Sequence, residues 1–150
     1  MAFDPMTALT VIQSHLKAQG RYSEVTIGEP KRPPPGSLIA GVFMSEIRTP
    51  MLTLSAPIRV YDVIVRHYMQ MLEDGSRTES EMARVVGESM EDLEGNFQLD
   101  GEIRAIDIGG EYGDSLKAKW GYLDQSGTIY RICDVTVPLI FDTATATLAP

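Results

Sequence analysis

Residues 116–141 read LKAKWGYLDQSGTIYRICDVTVPLIF, two arms of strand-forming residues about a turn. The first arm is Lys117 to Leu123. Asp124-Gln125-Ser126-Gly127 carries turn chemistry, with a glycine to accept the positive φ of a tight reversal. The second arm, Thr128 to Phe141, is rich in β-branched residues, among them Ile129, Ile132, Val135, Thr136, Val137 and Ile140. Period-two alternation puts Ile129, Cys133, Val135, Val137, Leu139 and Phe141 on one face, interrupted by Arg131. A β-hairpin with one apolar face follows, and that face needs a cover.

Two stretches offer the cover. Asp4-Pro5 opens the first, an N-cap residue followed by proline at the first helical position. Leu9, Ile12, His15 and Leu16 recur at helical spacing with Val11 beside them, and Gly20 stops the helix after Lys17. The second helix is expected from about Thr78 to Glu94, with Thr78 and Glu81 matching a capping box. Its apolar stripe is Met82, Val85, Val86, Ser89, Met90 and Leu93, and acids cover the rest.

Strands fill the remainder. Ser23 to Gly28 and Leu38 to Ile47 read as strands, with Pro30, Pro33, Pro34, Pro35 and Gly36 between them as a stiff connector or a recognition ligand. Thr49-Pro50-Met51 is expected to break the second, Leu52 to Ser55 to extend either neighbour, and Pro57 to sit at an edge, a start or a bulge. Ile58 to Met71 is the longest strand. Arg59, Tyr61, Val63, Val65, His67, Met69 and Met71 share one face; Ile58, Val60, Asp62, Ile64, Arg66 and Tyr68 share the other. Both faces mix apolar and charged residues, so either the second face meets another subunit or the strand is partly exposed with ordinary salt links. Glu73-Asp74-Gly75-Ser76 reads as a turn, Glu102 to Ile108 as a strand, and Gly109 to Asp114 as a flexible loop. The expectation is an α+β fold: a mixed, mainly antiparallel sheet, two helices packed on one face, long β-hairpins and a C-terminal hairpin. Residues 1–142 form one domain in this reading, and 143–150, alternating Thr and Ala, a mobile tail or one docked on a neighbour.

Composition excludes several functions. The 150 residues are 43% hydrophobic and 23% charged, against wholesale disorder. Cys133 is the one cysteine, so no intrachain disulfide forms. No apolar run approaches the roughly 18 residues of a spanning helix, and the N-terminus has no secretory pattern. Net charge is −8, and residues 71–114 hold thirteen acids against three Lys/Arg. Such a surface disfavours stable contact with DNA or an anionic membrane. It reads as a solubility device or as a surface repelling nucleic acid that passes nearby. Two histidines and one cysteine, far apart, do not make a zinc site or a nucleophilic triad. A calcium loop counted from Asp92 would need glycine where Phe97 stands. Gly109-Gly110 lacks the Lys-Ser/Thr of a phosphate loop. No catalytic, cofactor or metal residue is nominated.

The order helix, strand, Pro-rich connector, two long strands, acidic helix, strand, hairpin resembles the tail terminator proteins of long-tailed, siphovirus-type bacteriophages. The stretches that carry it are Asp4-Pro5-Met6-Thr7-Ala8-Leu9, Ile58-Arg59-Val60-Tyr61-Asp62-Val63-Ile64-Val65, and Thr128-Ile129-Tyr130-Arg131-Ile132 leading into Val135-Thr136-Val137-Pro138-Leu139. The resemblance implies a structural virion protein and not an enzyme, assembled in the host cytoplasm. It implies a hexameric ring that caps the tail tube, ends its polymerisation and joins the head-side connector, with DNA passing through the lumen. On that expectation Glu88, Glu91, Asp92, Glu94, Glu102, Asp107 and Glu111 are candidates to line an acidic lumen. Arg59, Tyr61, Asp62, Arg66 and Tyr68 are candidates for the subunit interface. The partners implied are further copies of the chain, the tail-tube protein, the connector or stopper, and DNA in transit, with no membrane. The alternatives are a head-completion (stopper) protein or tail-tube subunit, a soluble binding module using the Pro-rich segment, and an unrecognised hydrolase.

Overall fold

Strand β3 (Ile58–Gln70) is paired along both edges, and its side chains are buried almost continuously. The computed structural model describes residues 4–30, 37–51, 58–71 and 75–142. Around β3 the chain runs α1 (Pro5–Gln19), β1 (Glu24–Ile27), β2 (Ile39–Met51), then after β3 α2 (Gly75–Gly95), β4 (Ala105–Ile106), β5 (Lys117–Gln125) and β6 (Thr128–Asp142). The six strands form one sheet in the order β1-β2-β3-β6-β4, and β5 shares the outer edge of β6 with β4. β1 lies parallel to β2; every other pairing is antiparallel. The fold is therefore α+β, with two helices, a mixed and mostly antiparallel sheet, and the long hairpins β2-β3 and β5-β6.

Both helices pack on one face. Ala8, Leu9, Ile12 and Leu16 of α1 and Met82, Val85, Val86 and Leu93 of α2 meet Tyr61, Val63, Val65 and Met69 of β3 and Cys133, Val135, Val137, Leu139 and Phe141 of β6. Burying a side chain of this size contributes about 1.5–3 kcal/mol. Asp4 caps α1 as expected, accepting the amide of Met6 at 2.9 Å, and Gly20 closes the helix in the left-handed region. The hairpin turn is Ser126-Gly127, both at positive φ (53° and 84°), the signature of a type I′ turn that matches the twist of its strands.

Several local expectations are corrected. β2 does not stop at Thr49-Pro50-Met51; the strand runs through it, and a register shift between Arg48 and Met51 accommodates the proline. α2 starts at Gly75, so Gly75 and Ser76 are helical and Thr78 is buried inside the helix instead of capping it. The strand expected over Glu102–Ile108 shrinks to Ala105–Ile106, preceded by a 3-10 turn at Leu99–Gly101. Ile129 is 52% exposed: it lies nearer the hairpin's end than Arg131, the residue that α2 reaches through Glu79. The expectations for Pro33 to Gly36, Leu52 to Ser55, Pro57, Glu73-Asp74 and the 143–150 tail lie outside the described residues.

Candidate functional site

The sheet face turned away from the helices carries the charges that made β3 ambiguous. Asp62, 1% exposed, accepts both arms of Arg48: Nε to Oδ2 at 2.9 Å and Nη2 to Oδ1 at 3.0 Å. The same guanidinium donates through Nη1 to the carbonyl of Tyr112. Its pKa is raised, first by the hydrogen bond to Asp62. Carboxylate oxygens of Glu46, Asp62 and Asp114 come within 4.8 Å of one another, a spacing a hard cation could bridge. Arg48, however, spends both oxygens of Asp62, and the arrangement works as an internal ion pair. Gly113 fits here because a Cβ at that position would strike the Arg48 guanidinium.

A second fork lies further along the face. Arg66 donates to Asp134 through Nε (2.7 Å) and Nη2 (3.0 Å), reaches Glu29 through Nη1 (2.7 Å), and stacks over Phe43 at 5.2 Å. The bond to Asp134 raises its pKa further. Tyr68 beside it is buried, and desolvation pushes its hydroxyl up to about 12. Asp107 accepts the amides of Glu111 (2.8 Å) and Tyr112 (2.9 Å), folding the expected flexible loop back so that Tyr112 packs on Ile58, Val60 and Ile140.

The sequence-derived candidates thus separate. Asp62, Arg66 and Tyr68 share the second face, where the two charges are already paired within the chain. Tyr61 does not face outward: it is buried in the main core, edge-on to Phe141 at 5.1 Å, and Arg59 lies on its side by alternation. Among the acids, Glu88 and Asp92 are drawn together by Arg21, which bonds to both. Glu91, Glu94 and Glu102 are exposed, while Glu111 sits in the loop on the opposite side of the sheet. Asp107 is buried and its carboxylate is occupied, so it lines no passage.

Sequence reasoning missed a buried polar chain beneath the helices. Nε2 of His67 lies 2.8 Å from the Tyr22 hydroxyl and Nδ1 3.2 Å from the carbonyl of Cys133. An Nδ1–H donating to that carbonyl leaves Nε2 to accept the phenol. Burial pushes His67 down to about 4, and pushes Tyr22 and the Cys133 thiol each up to about 12. His67 and Cys133 are register partners, yet imidazole and thiol both stay neutral, the opposite of an activated pair. The signal was available as a histidine on the helix-facing side of a central strand; its partner Tyr22 is 45 residues away.

Among the described residues, a cleft lies between α1 and residues 96–102. It encloses about 620 Å³, lined by Met6, Val11, His15, Leu99, Asp100 and Glu102 among others. Among the described residues, no helix is long and apolar enough to cross a membrane. No family model matches the chain, and no curated protein matches it.

Proposed function

We propose that the chain is a structural ring subunit of a phage head–tail junction, a tail terminator that caps the tail tube and meets the head-side connector. It acts without catalysis. Its charged groups hold the fold, its buried His–Tyr–Cys chemistry is neutral, and its work is shape and self-association. The observation that carries the reading is the pair of unlike open edges. β1 leaves a four-residue open edge and β5 a nine-residue open edge running the opposite way, neither paired outward among the described residues. Edges that differ in length and direction suit a head-to-tail contact, which closes into a ring when the rotation allows. The exposed acids of α2 would repel DNA crossing the lumen instead of holding it.

The test is electron microscopy of the purified chain, alone and with the tail-tube subunit encoded beside it. Closed rings seated on tube ends support the terminator reading. Extended stacks would make the chain a tube subunit, and rings seated only on connectors would make it a stopper. A particle-free monomer whose gene lies away from tail genes would end the reading.

A further inference from the structure

We infer that α1 and β1 form a flap that mild acid releases from the rest of the sheet, with His67 as its catch. The inference goes beyond the ring reading and concerns a single copy of the chain.

Residues 4–28 hold together by their own contacts. Gln13 of α1 donates through Nε2 to the Val25 carbonyl of β1 at 3.0 Å. Ala8, Leu9, Ile12 and Leu16 of α1 and Val25 of β1 join the same core. The unit's grip on the sheet is short. β1 is an edge strand of four residues, aligned with Ile39–Val42 of β2. β3, by contrast, pairs with β6 from Ile58 to Gln70. An element held at one edge by few pairs is one that opens locally before the whole fold does.

Between α1 and β1 the chain is caught at Tyr22. The phenol oxygen lies 2.8 Å from Nε2 of His67 on β3, and Ser89 of α2 donates to it. Nδ1 of His67 in turn lies 3.2 Å from the Cys133 carbonyl of β6. The relay works while the imidazole is neutral, because Nε2 then accepts the phenol proton. A proton on Nε2 puts two donors on the phenol oxygen and leaves the phenol's own hydrogen without an acceptor in the relay. The charge would also be buried without a bonded counter-ion. His67 is fully buried between its register partners Ala40 of β2 and Cys133 of β6. Burial keeps the Cys133 thiol neutral, and Asp134 stands on the other face, bonded to Arg66. Arg21, next to Tyr22, adds a positive charge that Glu88 and Asp92 clasp.

The chain's other histidine lies in the flap itself. Nε2 of His15 on α1 is buried without a hydrogen-bond partner among the described residues. Burial lowers its pKa despite Asp92 of α2 and Asp100 of the following turn, with Arg21 acting in the same direction as burial. Both histidines are therefore neutral while the flap is closed and take up a proton when it opens. Burial holds His67 at about 4 in the closed form against 6.5 for an unperturbed group, so acid favours the open one. Between pH 7 and 5 that difference multiplies the open-to-closed ratio about twentyfold. Release uncovers the β2 edge over Ile39–Val42 and the core residues beneath α1.

Hydrogen exchange of the full chain at pH 7 and pH 5, corrected for intrinsic rates, tests this. In wild type, opening of α1 and β1 should rise at least tenfold at pH 5 while β3 and β6 keep their protection. His67→Gln, which stays neutral, should remove most of that rise, and His67→Gln with His15→Gln should leave less than about threefold. Tyr22→Phe should loosen α1 and β1 at pH 7 without loosening β3 and β6. Wild-type protection of α1 and β1 that is flat between the two pH values would overturn the inference, as would a rise shared equally by β3 and β6. A full rise retained in the double histidine variant would assign the effect to the Arg21 clasp on Glu88 and Asp92, and overturns it too.

Discussion

Asp62 and His67 show what single residues contribute on a strand buried on both sides. Asp62 keeps a carboxylate in the interior only because Arg48 forks onto it. Arg48→Met leaves that charge unpaired and should cost about 3 kcal/mol, whereas Arg48→Met with Asp62→Leu together should cost clearly less than the sum of the two single changes. Urea unfolding of the three variants checks this; additive costs would contradict it. Burial pushes His67 down to about 4 in the fold from 6.5 for an unperturbed group. Its folded pKa is depressed, so between about pH 6.5 and 4 the unfolded chain binds the proton and the native chain does not. Stability should therefore fall as pH drops through that window, by up to about 3 kcal/mol. The burial-lowered pKa of His15 acts in the same direction. A His67→Gln variant should lose most of the dependence in urea midpoints measured from pH 7.5 to 4.5. The need for partners was legible at both residues, as charged or polar groups on a long apolar strand. The partners were not: Arg48 reaches Asp62 through a register shift at Met44–Glu46 that no local pattern encodes. Asp107 read as one more acid because its role depends on the loop closing over it.

Among the elements, the hairpin and α1 were the most legible, since caps, turn residues and period-two alternation act locally. Asp4-Pro5, Gly20 and Ser126-Gly127 do what their chemistry dictates. Where tertiary packing outweighs local preference the reading failed. Thr78 matched a capping box, but the helix starts earlier and buries it. Pro50 reads as a breaker, but a bulge absorbs it. The turn offers a direct check of the local argument. Asparagine tolerates the left-handed region better than serine, so Ser126→Asn should stabilise the chain by a few tenths of a kcal/mol. Gly127→Val should destabilise it by about 1–2 kcal/mol. Thermal unfolding of both variants measures the difference, and equal midpoints would mean that the turn does not set the register.

At the scale of the whole molecule, charge and shape separate. The sheet's second face neutralises itself through Arg48–Asp62 and Arg66–Asp134, while α2 keeps most of its acids in water and Arg21 clasps only Glu88 and Asp92. An account built on repulsion predicts that the chain fails to retard duplex DNA even at low salt. Replacing Glu91 and Glu94 with Lys should create measurable, salt-sensitive binding. Sequence alone made the acidic excess plain but not its division by the sheet, which puts Glu111 and Asp107 on the side away from α2. The central claim, that the chain works by closing on copies of itself, is tested most directly by native mass spectrometry of the full chain at rising concentration. The account predicts one dominant closed species of six copies. A monomer at every concentration, or an open ladder of sizes with no preferred number, would contradict it.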